Sequence, residues 1–281
     1  MVSLRLWAKM TIKDAIVKAS TLLKGVCERP QYEAELLLAY QIKQDRTYLV
    51  THDNDDIDIK EYDILIKRRK NHEPYEYIVG VANFYDISLK VGEGVLIPRP
   101  ETEILIDLVS DIIGNKNITF IAEIGVGSGA ISVVLARKFP EIQIKATDIC
   151  DKAIEISQLN IHKYQLADRI TVVKSNLLDE VSESVELVVS NPPYIAKDFL
   201  LASNVIDFEP KEALFGGRVG DELLKEIIID VKKRDVKWLA CEMGYDQKEA
   251  IQAFVNDVGV KSIEFYKDLA GLDRGFIIEY R

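Results

Sequence analysis

The segment Asn191-Pro192-Pro193-Tyr194 has the residue types needed to hold a planar amide nitrogen. It follows the apolar, β-branched run Val185-Glu186-Leu187-Val188-Val189, which predicts a buried strand that ends at Asn191. The two prolines restrict the backbone, so its carbonyl groups are held rigidly. An NH2 group has two donors, which the Asn191 side-chain oxygen and the Pro192 carbonyl can accept beside the flat ring of Tyr194. Taken alone, the motif is better explained as a proline turn that closes a core strand.

A glycine-rich turn, Glu123-Ile124-Gly125-Val126-Gly127-Ser128-Gly129, lies between a predicted strand and a predicted helix. Glycines allow a tight turn and a close approach of the backbone to a ligand, and the helix that follows has free N–H groups at its start. The spacing is Gly-x-Gly-x-Gly, whereas dinucleotide-binding proteins have Gly-x-Gly-x-x-Gly. With the acid Glu123 in front, the shorter form suits a ligand that carries an amine and a carboxylate.

Polar residues also follow the next two predicted strands. Asp148, with Ile149 beside it, comes 23 residues after Gly125, close to the ~20 residues at which an acid reaches a ribose hydroxyl in βαβ nucleotide sites. Asn176 can accept a hydrogen bond from an adenine amino group, and Leu177 can cover the ring. Each feature alone has an ordinary structural explanation. Together with Asn191, which follows the fourth strand and is expected to contact the cofactor as well, these strand ends predict a site for a nucleoside that carries an amino acid. That description fits S-adenosyl-L-methionine, with S-adenosyl-L-homocysteine as the product.

The elements that position these residues alternate after residue 117. The pattern predicts strands at 118–124, 142–147, 170–173, 187–189 and 238–241, helices at 131–139, 153–162, 222–231 and 247–256, and a closing strand pair at 262–266 and 275–280. Alternation of this kind predicts an α/β, Rossmann-like fold with a mostly parallel sheet that is covered on both faces.

The chain before residue 99 has a different pattern. Helical spacing after Thr11, around 31–40 and around 59–70 predicts a small helical bundle at residues 1–76, which we expect to contact a partner. Residues 77–98 are expected to form a connecting β-hairpin that turns at Gly92-Glu93-Gly94, and residues 99–281 to form the α/β domain that binds S-adenosylmethionine. Residues 1–9 are interpreted as an irregular lead-in, with Met10 as an alternative start.

Composition narrows the class of protein. With 281 residues, of which 48% are hydrophobic and 29% charged, we expect a globular protein, and no apolar run reaches the ~18 residues of a membrane span. The start has no signal-peptide core, so we expect a cytoplasmic location. The 3 cysteines and 3 histidines are scattered, which argues against disulfides and a metal site. The net charge of −10 disfavours a nucleic-acid partner, and the basic run Lys67-Arg68-Arg69-Lys70 is interpreted as a solvated helix face.

Nearly the whole chain resembles the class I methyltransferases, and more narrowly the HemK/PrmC-type protein-(glutamine-N5) methyltransferases of peptide chain release factors. The segments that carry the resemblance are Tyr32-Glu33-Ala34-Glu35-Leu36-Leu37-Leu38, Arg68-Arg69 with Glu73-Pro74, Leu96-Ile97-Pro98-Arg99-Pro100-Glu101-Thr102-Glu103, the glycine turn, Ser190-Asn191-Pro192-Pro193-Tyr194-Ile195, Glu209-Pro210 with Ala213-Leu214-Phe215-Gly216-Gly217, Glu242-Met243-Gly244-Tyr245-Asp246-Gln247, and Asp268-Leu269-Ala270-Gly271-Leu272-Asp273-Arg274. DNA adenine methyltransferases share the Asn-Pro-Pro-Tyr motif, whereas the segment 97–103 and the N-terminal helices narrow the family.

The resemblance implies that residues 191–194 hold the glutamine amide of a Gly-Gly-Gln loop while a methyl group is transferred to its nitrogen. We expect Phe84 and Arg99 to contact the same substrate. Two departures from the family pattern are present: Asn176 stands where an acid is common, and residues 218–221 replace an expected Asp-Gly step. The resemblance therefore predicts an S-adenosylmethionine-dependent enzyme whose partner is a release factor.

Two other functions are compatible with these residues. A DNA or RNA methyltransferase that acts on an exocyclic amine, such as adenine N6, needs the same NH2-binding geometry. The acidic net charge and the lack of a large basic recognition domain count against it. The second is a cofactor-binding subunit without activity, which the intact site at Asn191 disfavours.

Overall fold

The computed structural model describes residues 9–280, which divide into two compact units. The first contains the described residues up to Gly80 together with Ala202–Phe208, and the second contains Val81–Leu201 and the residues from Glu209 onward. In chain order the elements are β1 (Lys9–Thr11), α1 (Ile12–Leu23), α2 (Pro30–Ile42), α3 (Arg46–Thr51), β2 (Asp56–Asp58), α4 (Lys60–Lys70), α5 (Tyr75–Val79), β3 (Val81–Phe84), β4 (Ile87–Lys90), α6 (Thr102–Lys116), β5 (Phe120–Ile124), α7 (Ala130–Lys138), β6 (Gln143–Asp148), α8 (Asp151–Lys163), β7 (Ile170–Lys174), β8 (Leu187–Ser190), β9 (Ile195–Ala196), α9 (Ser203–Ile206), a 3-10 helix (Lys211–Ala213), β10 (Phe215–Gly217), α10 (Glu222–Lys233), β11 (Trp238–Glu242), α11 (Lys248–Val258), β12 (Ser262–Lys267) and β13 (Asp273–Glu279). Within residues 9–280, no helix combines the length and the apolar character needed to cross a lipid bilayer.

The first unit consists mainly of short helices around their own apolar core, to which α1, α2 and α4 contribute. Thr11 caps α1 as the sequence predicts, because its hydroxyl oxygen accepts a hydrogen bond from the Asp14 N–H at 3.1 Å. The strand β1 pairs antiparallel with β2, so Lys9 begins a strand and is not part of an irregular lead-in. The remainder of that predicted lead-in, residues 1–8, lies outside the described residues.

The basic run in α4 is only partly solvated. Lys67 and Lys70 are exposed, but Arg68 and Arg69 both form ion pairs. Arg69 is 7% exposed, and its Nε lies 2.5 Å from a carboxylate oxygen of Glu33. A buried charge requires a partner. This pairing corrects the prediction of a solvated face for the whole run.

The hairpin that begins the second unit turns at a different place from the predicted one. The strands β3 and β4 pair antiparallel with Phe84 opposite Ile87, so the turn is Tyr85-Asp86. Tyr85 has a φ of 55°, and its N–H donates to the Glu103 carboxylate at 2.7 Å. A turn does form at the predicted place, because the Val95 N–H donates to the Gly92 carbonyl at 3.2 Å. It belongs to an irregular segment that leads to α6 and does not join two strands, since no strand forms at 95–97.

The domain limits expected from the sequence can be placed on these elements. The limit after residue 76 falls inside α5, whereas the two units divide after Gly80. The 77–98 linker contains the end of α5, the hairpin and part of the irregular segment. The grouping of Ala202–Phe208 with the first unit has no counterpart in the sequence analysis.

The second unit is built on a seven-stranded sheet with the strand order β12-β13-β11-β8-β5-β6-β7. The five neighbouring strands β7, β6, β5, β8 and β11 run parallel to one another. The strand β13 is antiparallel to both β11 and β12. The chain passes from β5 through β6 to β7, and then returns to place β8 on the other side of β5. Such a reversal opens a crevice at the carboxyl ends of the strands, where open α/β sheets bind ligands. The predicted mostly parallel sheet is confirmed.

Side chains that alternate along the central strands enter two apolar layers. In β8, Leu187 and Val189 belong to the layer that includes α6, α7 and α8, while Val188 belongs to the layer that includes α10 and α11. All three side chains are fully buried. Successive residues of a strand point to opposite faces, so a strand in which consecutive apolar side chains are all buried must be covered on both sides. This packing fixes the end of β8, where Asn191 follows.

Candidate active site

The carboxyl ends of β5, β6, β7 and β8 border a cavity of about 380 Å³. Its walls include most of the residues that the sequence singles out: Phe84, Arg99, Glu123, Gly125, Val126, Gly127, Ser128, Asp148, Ile149, Asn176, Leu177, Asn191, Pro192 and Pro193. Two residues of the predicted site, Gly129 and Tyr194, do not line it. The sheet topology thus brings residues from distant parts of the sequence to one place.

The glycine loop is tied to the end of β6. The N–H groups of Gly125 and Val126 both donate to the Thr147 carbonyl at 2.9 Å, and that of Gly127 donates to the Asp148 carboxylate at 3.0 Å. Gly125 and Gly127 have φ values of 76° and 52°, a region that favours glycine. A Cβ added to either would meet no atom within 4 Å. The backbone of the loop is therefore open to the cavity.

Gly129 packs against α8 and not against the cavity. Its φ is 84°, and a Cβ there would lie 3.4 Å from the Cβ of Ser157. Asn160, which is also on α8 and is fully buried, donates to the Ser128 carbonyl at 2.8 Å. The same carboxamide exchanges hydrogen bonds of 2.7 and 2.9 Å with the backbone of Lys90. One buried side chain thus joins the glycine loop, α8 and the hairpin.

Asp148 holds the loop from the β6 side. One of its carboxylate oxygens accepts from the Gly127 N–H at 3.0 Å and the other from the Cys150 N–H at 2.9 Å. Burial raises the pKa of Asp148, and these backbone hydrogen bonds oppose the rise. Each oxygen keeps a lone pair that a ligand hydroxyl could use. Ile149, which is 56% exposed, lines the cavity beside it.

The chain after β7 adopts a backbone conformation that is uncommon for a residue with a side chain. Leu177 has a φ of 46°. The N–H of Ser175 donates to the Asp148 carbonyl at 3.0 Å, which holds this segment against the end of β6. Asn176 is exposed. Both Asn176 and Leu177 therefore border the cavity on the same side as Asp148.

Glu123 lies at the base of the glycine loop and is only 1% exposed. Its Oε2 accepts hydrogen bonds from the backbone N–H of Ser132, at 3.0 Å, and from the hydroxyl of the same serine. Burial raises the pKa of Glu123 to about 8, and the two hydrogen bonds from Ser132 oppose the rise. A cationic group in the cavity would favour the ionised form.

Asn191, the first residue after β8, is held by a chain of buried side chains. Its Nδ2 donates to the Thr102 hydroxyl oxygen at 2.9 Å, and that hydroxyl donates to Oε2 of Glu242 at 2.7 Å. The Tyr194 hydroxyl donates to the other Glu242 oxygen at 2.9 Å. Thr102 is 4% exposed and Glu242 is 1% exposed. The Asn191 carboxamide is thereby turned with its oxygen away from Thr102.

Several interactions shift the pKa of the Glu242 carboxyl group in opposite directions. Burial raises its pKa, whereas the hydrogen bonds from Thr102 and Tyr194 and the positive charge of Arg274 lower it. Arg274 is itself paired with Asp268, with 2.7 Å between the guanidinium nitrogen and the carboxylate oxygen. The buried carboxyl group therefore lies in a hydrogen-bonded cluster with Thr102 and Tyr194.

Tyr194 has a different place from the one that the sequence predicts. The sequence analysis expects its ring to form a flat wall of the site. In the structure its hydroxyl reaches Glu242 and its ring packs with the apolar layer that includes α10 and α11. Its carbonyl accepts from Nε2 of Gln247 at 2.8 Å. These interior contacts direct the ring away from the cavity.

The backbone of residues 193–196 is braced from behind by β10. The strand β10 pairs in parallel with β9, and Gly216 approaches the proline segment closely. A Cβ at Gly216 would lie 2.3 Å from the Pro193 carbonyl oxygen and 2.9 Å from the Cα of Tyr194. No real side chain fits at such distances, so glycine is required for this close approach.

Arg99 lines the cavity, but its charge is paired. Its guanidinium lies 2.5 Å from a carboxylate oxygen of Glu209, a residue that is 4% exposed. The second Glu209 oxygen accepts from the Ile97 N–H at 3.1 Å. Glu209 thus fixes the irregular segment that borders the cavity. Phe84 is 2% exposed and belongs both to the cavity wall and to the apolar layer that includes α6.

Four residues that complete this site receive no role in the sequence analysis: Thr102, Asn160, Glu209 and Glu242. Three of them, Thr102, Glu209 and Glu242, lie in segments that carry the family resemblance, and this is the feature of the sequence that could have identified them. No sequence feature identifies Asn160, because a polar residue on an amphipathic helix is expected to face solvent. Among residues 9–280, no group of three or more His, Cys, Asp or Glu side chains is arranged to hold a metal ion.

The strand order, the reversal between β5 and β8 and the cavity at that point define a class I methyltransferase, the class that takes its methyl group from S-adenosylmethionine. Residues 101–207 match the model of the Methyltransferase small domain, and residues 14–80 match that of the PrmC N-terminal domain. The fold is similar to the crystal structure of the N-terminal domain of human METTL16 in complex with SAH. That comparison has a TM-score of 0.52 and 20% identity, and covers 69% of this chain and 76% of the other.

Curated relatives narrow this class to one family. The release factor glutamine methyltransferase of Clostridium botulinum is 38% identical over 94% of this chain and 98% of its own length. The enzyme of the same name from Clostridium acetobutylicum is 35% identical over 94% of this chain and 97% of its own length. The chain belongs to the release factor glutamine methyltransferase family.

Proposed function

We propose that this protein transfers a methyl group from S-adenosylmethionine to the side-chain amide nitrogen of a glutamine in a peptide chain release factor, within its Gly-Gly-Gln loop. The observation that supports this most directly is the orientation of Asn191 on the cavity wall. Because its Nδ2 donates to Thr102, the carboxamide offers an acceptor oxygen on its other side. An acceptor at this position suits a substrate that presents an NH2 group.

The proposed cofactor site occupies the ends of β5, β6 and β7. The open backbone at 125–128 and the buried Glu123 would hold the amino-acid end, and Asp148 would accept from ribose hydroxyls. Asn176, Leu177 and Ile149 would surround the adenine. The residues fit this ligand, since both Asp148 oxygens retain an acceptor position. The cavity volume of about 380 Å³ also lies within the range of small-molecule sites.

The chemistry requires an accurate position for a poor nucleophile. An amide lone pair is delocalised into its carbonyl group, so much of the rate must come from orientation. When bound, S-adenosylmethionine supplies a methyl carbon on a positively charged sulfur that leaves with the bonding electron pair. Asn191 Oδ1 and the Pro192 carbonyl would accept the two amide hydrogens and stabilise positive charge on the nitrogen. We propose that the amide proton passes to water, since the buried Glu242 is already bonded to Thr102 and Tyr194.

Two further parts of the proposal concern the partner and the location. The first unit, which matches the PrmC N-terminal domain, would contact the body of the release factor, and the segment 81–101 with Phe84 and Arg99 would contact the loop that carries the glutamine. A release factor acts at the ribosome, so we propose a cytoplasmic location.

Transfer of a labelled methyl group tests the proposed function. We expect label on a purified release factor and none on the same factor with its Gly-Gly-Gln glutamine replaced by alanine. DNA and RNA offered in parallel should stay unlabelled. Label on nucleic acid alone, or equal label on the alanine-substituted factor, would contradict the proposal.

A further inference from the structure

The direction of the hydrogen bonds below Asn191 follows from the number of hydrogens that each group carries. A carboxylate has none and can only accept, so Glu242 takes the hydroxyl hydrogens of Thr102 and Tyr194 at 2.7 and 2.9 Å. A threonine hydroxyl has one hydrogen. Once Thr102 has donated it to Glu242, its oxygen can only accept, and the group opposite must be a donor.

That donor is the NH2 group of Asn191, which lies 2.9 Å from the Thr102 oxygen. An asparagine carboxamide has nearly the same shape in its two orientations, so packing alone does not distinguish them. With the orientation reversed, two acceptor oxygens would face each other next to the side chains of Thr102 and Glu242, which are only 4% and 1% exposed, so little water is available to pair with them. Unpaired buried polar atoms are costly.

We propose that Thr102 and Glu242 are positioning residues that fix the Asn191 carboxamide with its oxygen towards the acceptor substrate, and thereby make the site prefer a glutamine amide to a glutamate carboxylate. This inference rests on the proposed function. Thr102 lies on the cavity wall, and in this proposal neither residue contacts the reacting atoms. They act through Asn191, and the property that they determine is whether the cavity presents an acceptor or a donor at this position.

The effect on specificity follows from the same count of hydrogens. A glutamine amide brings two donors to the Asn191 oxygen and the Pro192 carbonyl, whereas a glutamate carboxylate brings only acceptors. Were Asn191 free to turn, its NH2 group would face the cavity in part of the molecules. Those molecules would lose a partner for the amide and gain one for the carboxylate.

The test uses Thr102→Val, which keeps the side-chain shape and removes the hydroxyl. We expect kcat on the release factor to fall roughly 10- to 100-fold, as for the loss of one buried hydrogen bond to a polar partner. The Kd of S-adenosylhomocysteine, measured by calorimetry, should stay within about twofold, because the ends of β5, β6 and β7 are unchanged. Thr102→Ser keeps the hydroxyl and should recover most of kcat.

The decisive readout is a ratio of two affinities. Binding of the intact factor and of a factor with glutamate in place of the glutamine is measured without turnover, with S-adenosylhomocysteine present. The wild-type protein and T102S should bind the factor with glutamine more tightly than the factor with glutamate. In T102V the ratio of these two affinities should be at least about tenfold smaller. Ser110→Ala is the matched control, since it removes a buried hydroxyl of the same helix that donates only to the Ile106 carbonyl, at 2.7 Å. It should leave the ratio unchanged.

A second variant keeps the test valid if T102V does not fold. Glu242→Met removes both acceptors, so the Thr102 hydroxyl loses the group that takes its hydrogen and can donate to Asn191 instead. The same ratio should then fall while S-adenosylhomocysteine still binds. An unchanged ratio in a folded T102V or E242M overturns the inference. So does a loss of activity in which the preference for glutamine is kept, because that indicates a purely structural role. A wild-type protein that does not label the release factor would contradict the proposed function instead.

Discussion

Two neighbouring regions of the cavity are constructed in different ways. At the ends of β5 and β6 the glycine loop and Asp148 are held together by main-chain N–H groups. At the end of β8 the position of Asn191 depends on side chains from α6 and β11. The first region can bind a ligand common to many enzymes, because backbone geometry follows from a short local motif. The second requires partners from distant segments, and we propose that specificity for the acceptor resides there.

The largest expected effect is in the second region. Replacing Asn191 by alanine should lower kcat roughly 100- to 1,000-fold, as for the loss of a group that stabilises charge in a transition state. The Kd of S-adenosylhomocysteine should change little, since the ligand is held by the other region. Labelled-methyl kinetics and calorimetry measure the two quantities.

Asn256→Ala is the control for that substitution, because Asn256 is exposed on α11. It should have no effect on either quantity. If N191A instead weakens cofactor binding as strongly as it lowers kcat, the two regions are not separable and the comparison fails.

A smaller effect is expected in the first region, where a substitution should change the affinity for the cofactor and leave kcat unchanged. Asp148→Asn replaces one acceptor by an NH2 group that faces a backbone N–H, so the Kd of S-adenosylmethionine should rise roughly 10- to 100-fold, or about 1.5–3 kcal/mol. At saturating cofactor, kcat should stay near that of the wild type. Asp151→Asn removes an exposed charge three residues away and should not change the Kd. A D148N protein with unchanged affinity would contradict the proposed ribose contact.

A third effect concerns stability instead of turnover or affinity, and it sharpens the comparison by asking what burial of Glu123 costs. Its pKa in the folded protein is about 8, above its ordinary value of 4.5, so the folded chain keeps a proton that the unfolded chain loses. This group therefore contributes stability that is complete below pH 4.5 and is lost as the pH rises towards 8. The slope is at most about 1.4 kcal/mol per pH unit.

Glu123→Gln removes that titration. The free energy of unfolding, measured by urea denaturation between pH 5 and 8, should fall less steeply with pH than in the wild type. Glu249→Gln, at an exposed position of α11, should keep the wild-type slope. Parallel curves for the wild type and E123Q would show that Glu123 is ionised over this whole range.

How much of the molecule the sequence can predict depends on the distance over which each feature is determined. The strand β5 and its neighbours were predictable to within a few residues, because apolar periodicity reports burial locally. The hairpin turn was not. The glycines at 92 and 94 do form a turn, but the two strands of the hairpin are joined at Tyr85, whose positive φ is supported by Glu103 from α6. Sequence patterns do not report such long-range support.

The same limit applies to the site. Asp148 and the glycine loop lie on consecutive elements with a regular spacing, so their common location was predictable. Thr102 and Glu242 are 140 residues apart, and nothing in either local sequence indicates that they share a hydrogen bond. The prediction for Tyr194 shows the converse: its motif was recognised, but the direction of its ring depends on Glu242 and the core. Local rules fail where several segments converge on a functional site.

The contact between Gly216 and the Pro193 carbonyl has a consequence for how this protein can vary. Gly114, in α6, has open space around it, so alanine and many other residues can replace it. At Gly216 even one methyl group would push the carbonyl of the proline segment out of place. In a saturation library selected for activity, position 114 should accept most amino acids, whereas position 216 should return only glycine. Gly216 does not line the cavity, yet it is among the positions that should tolerate substitution least.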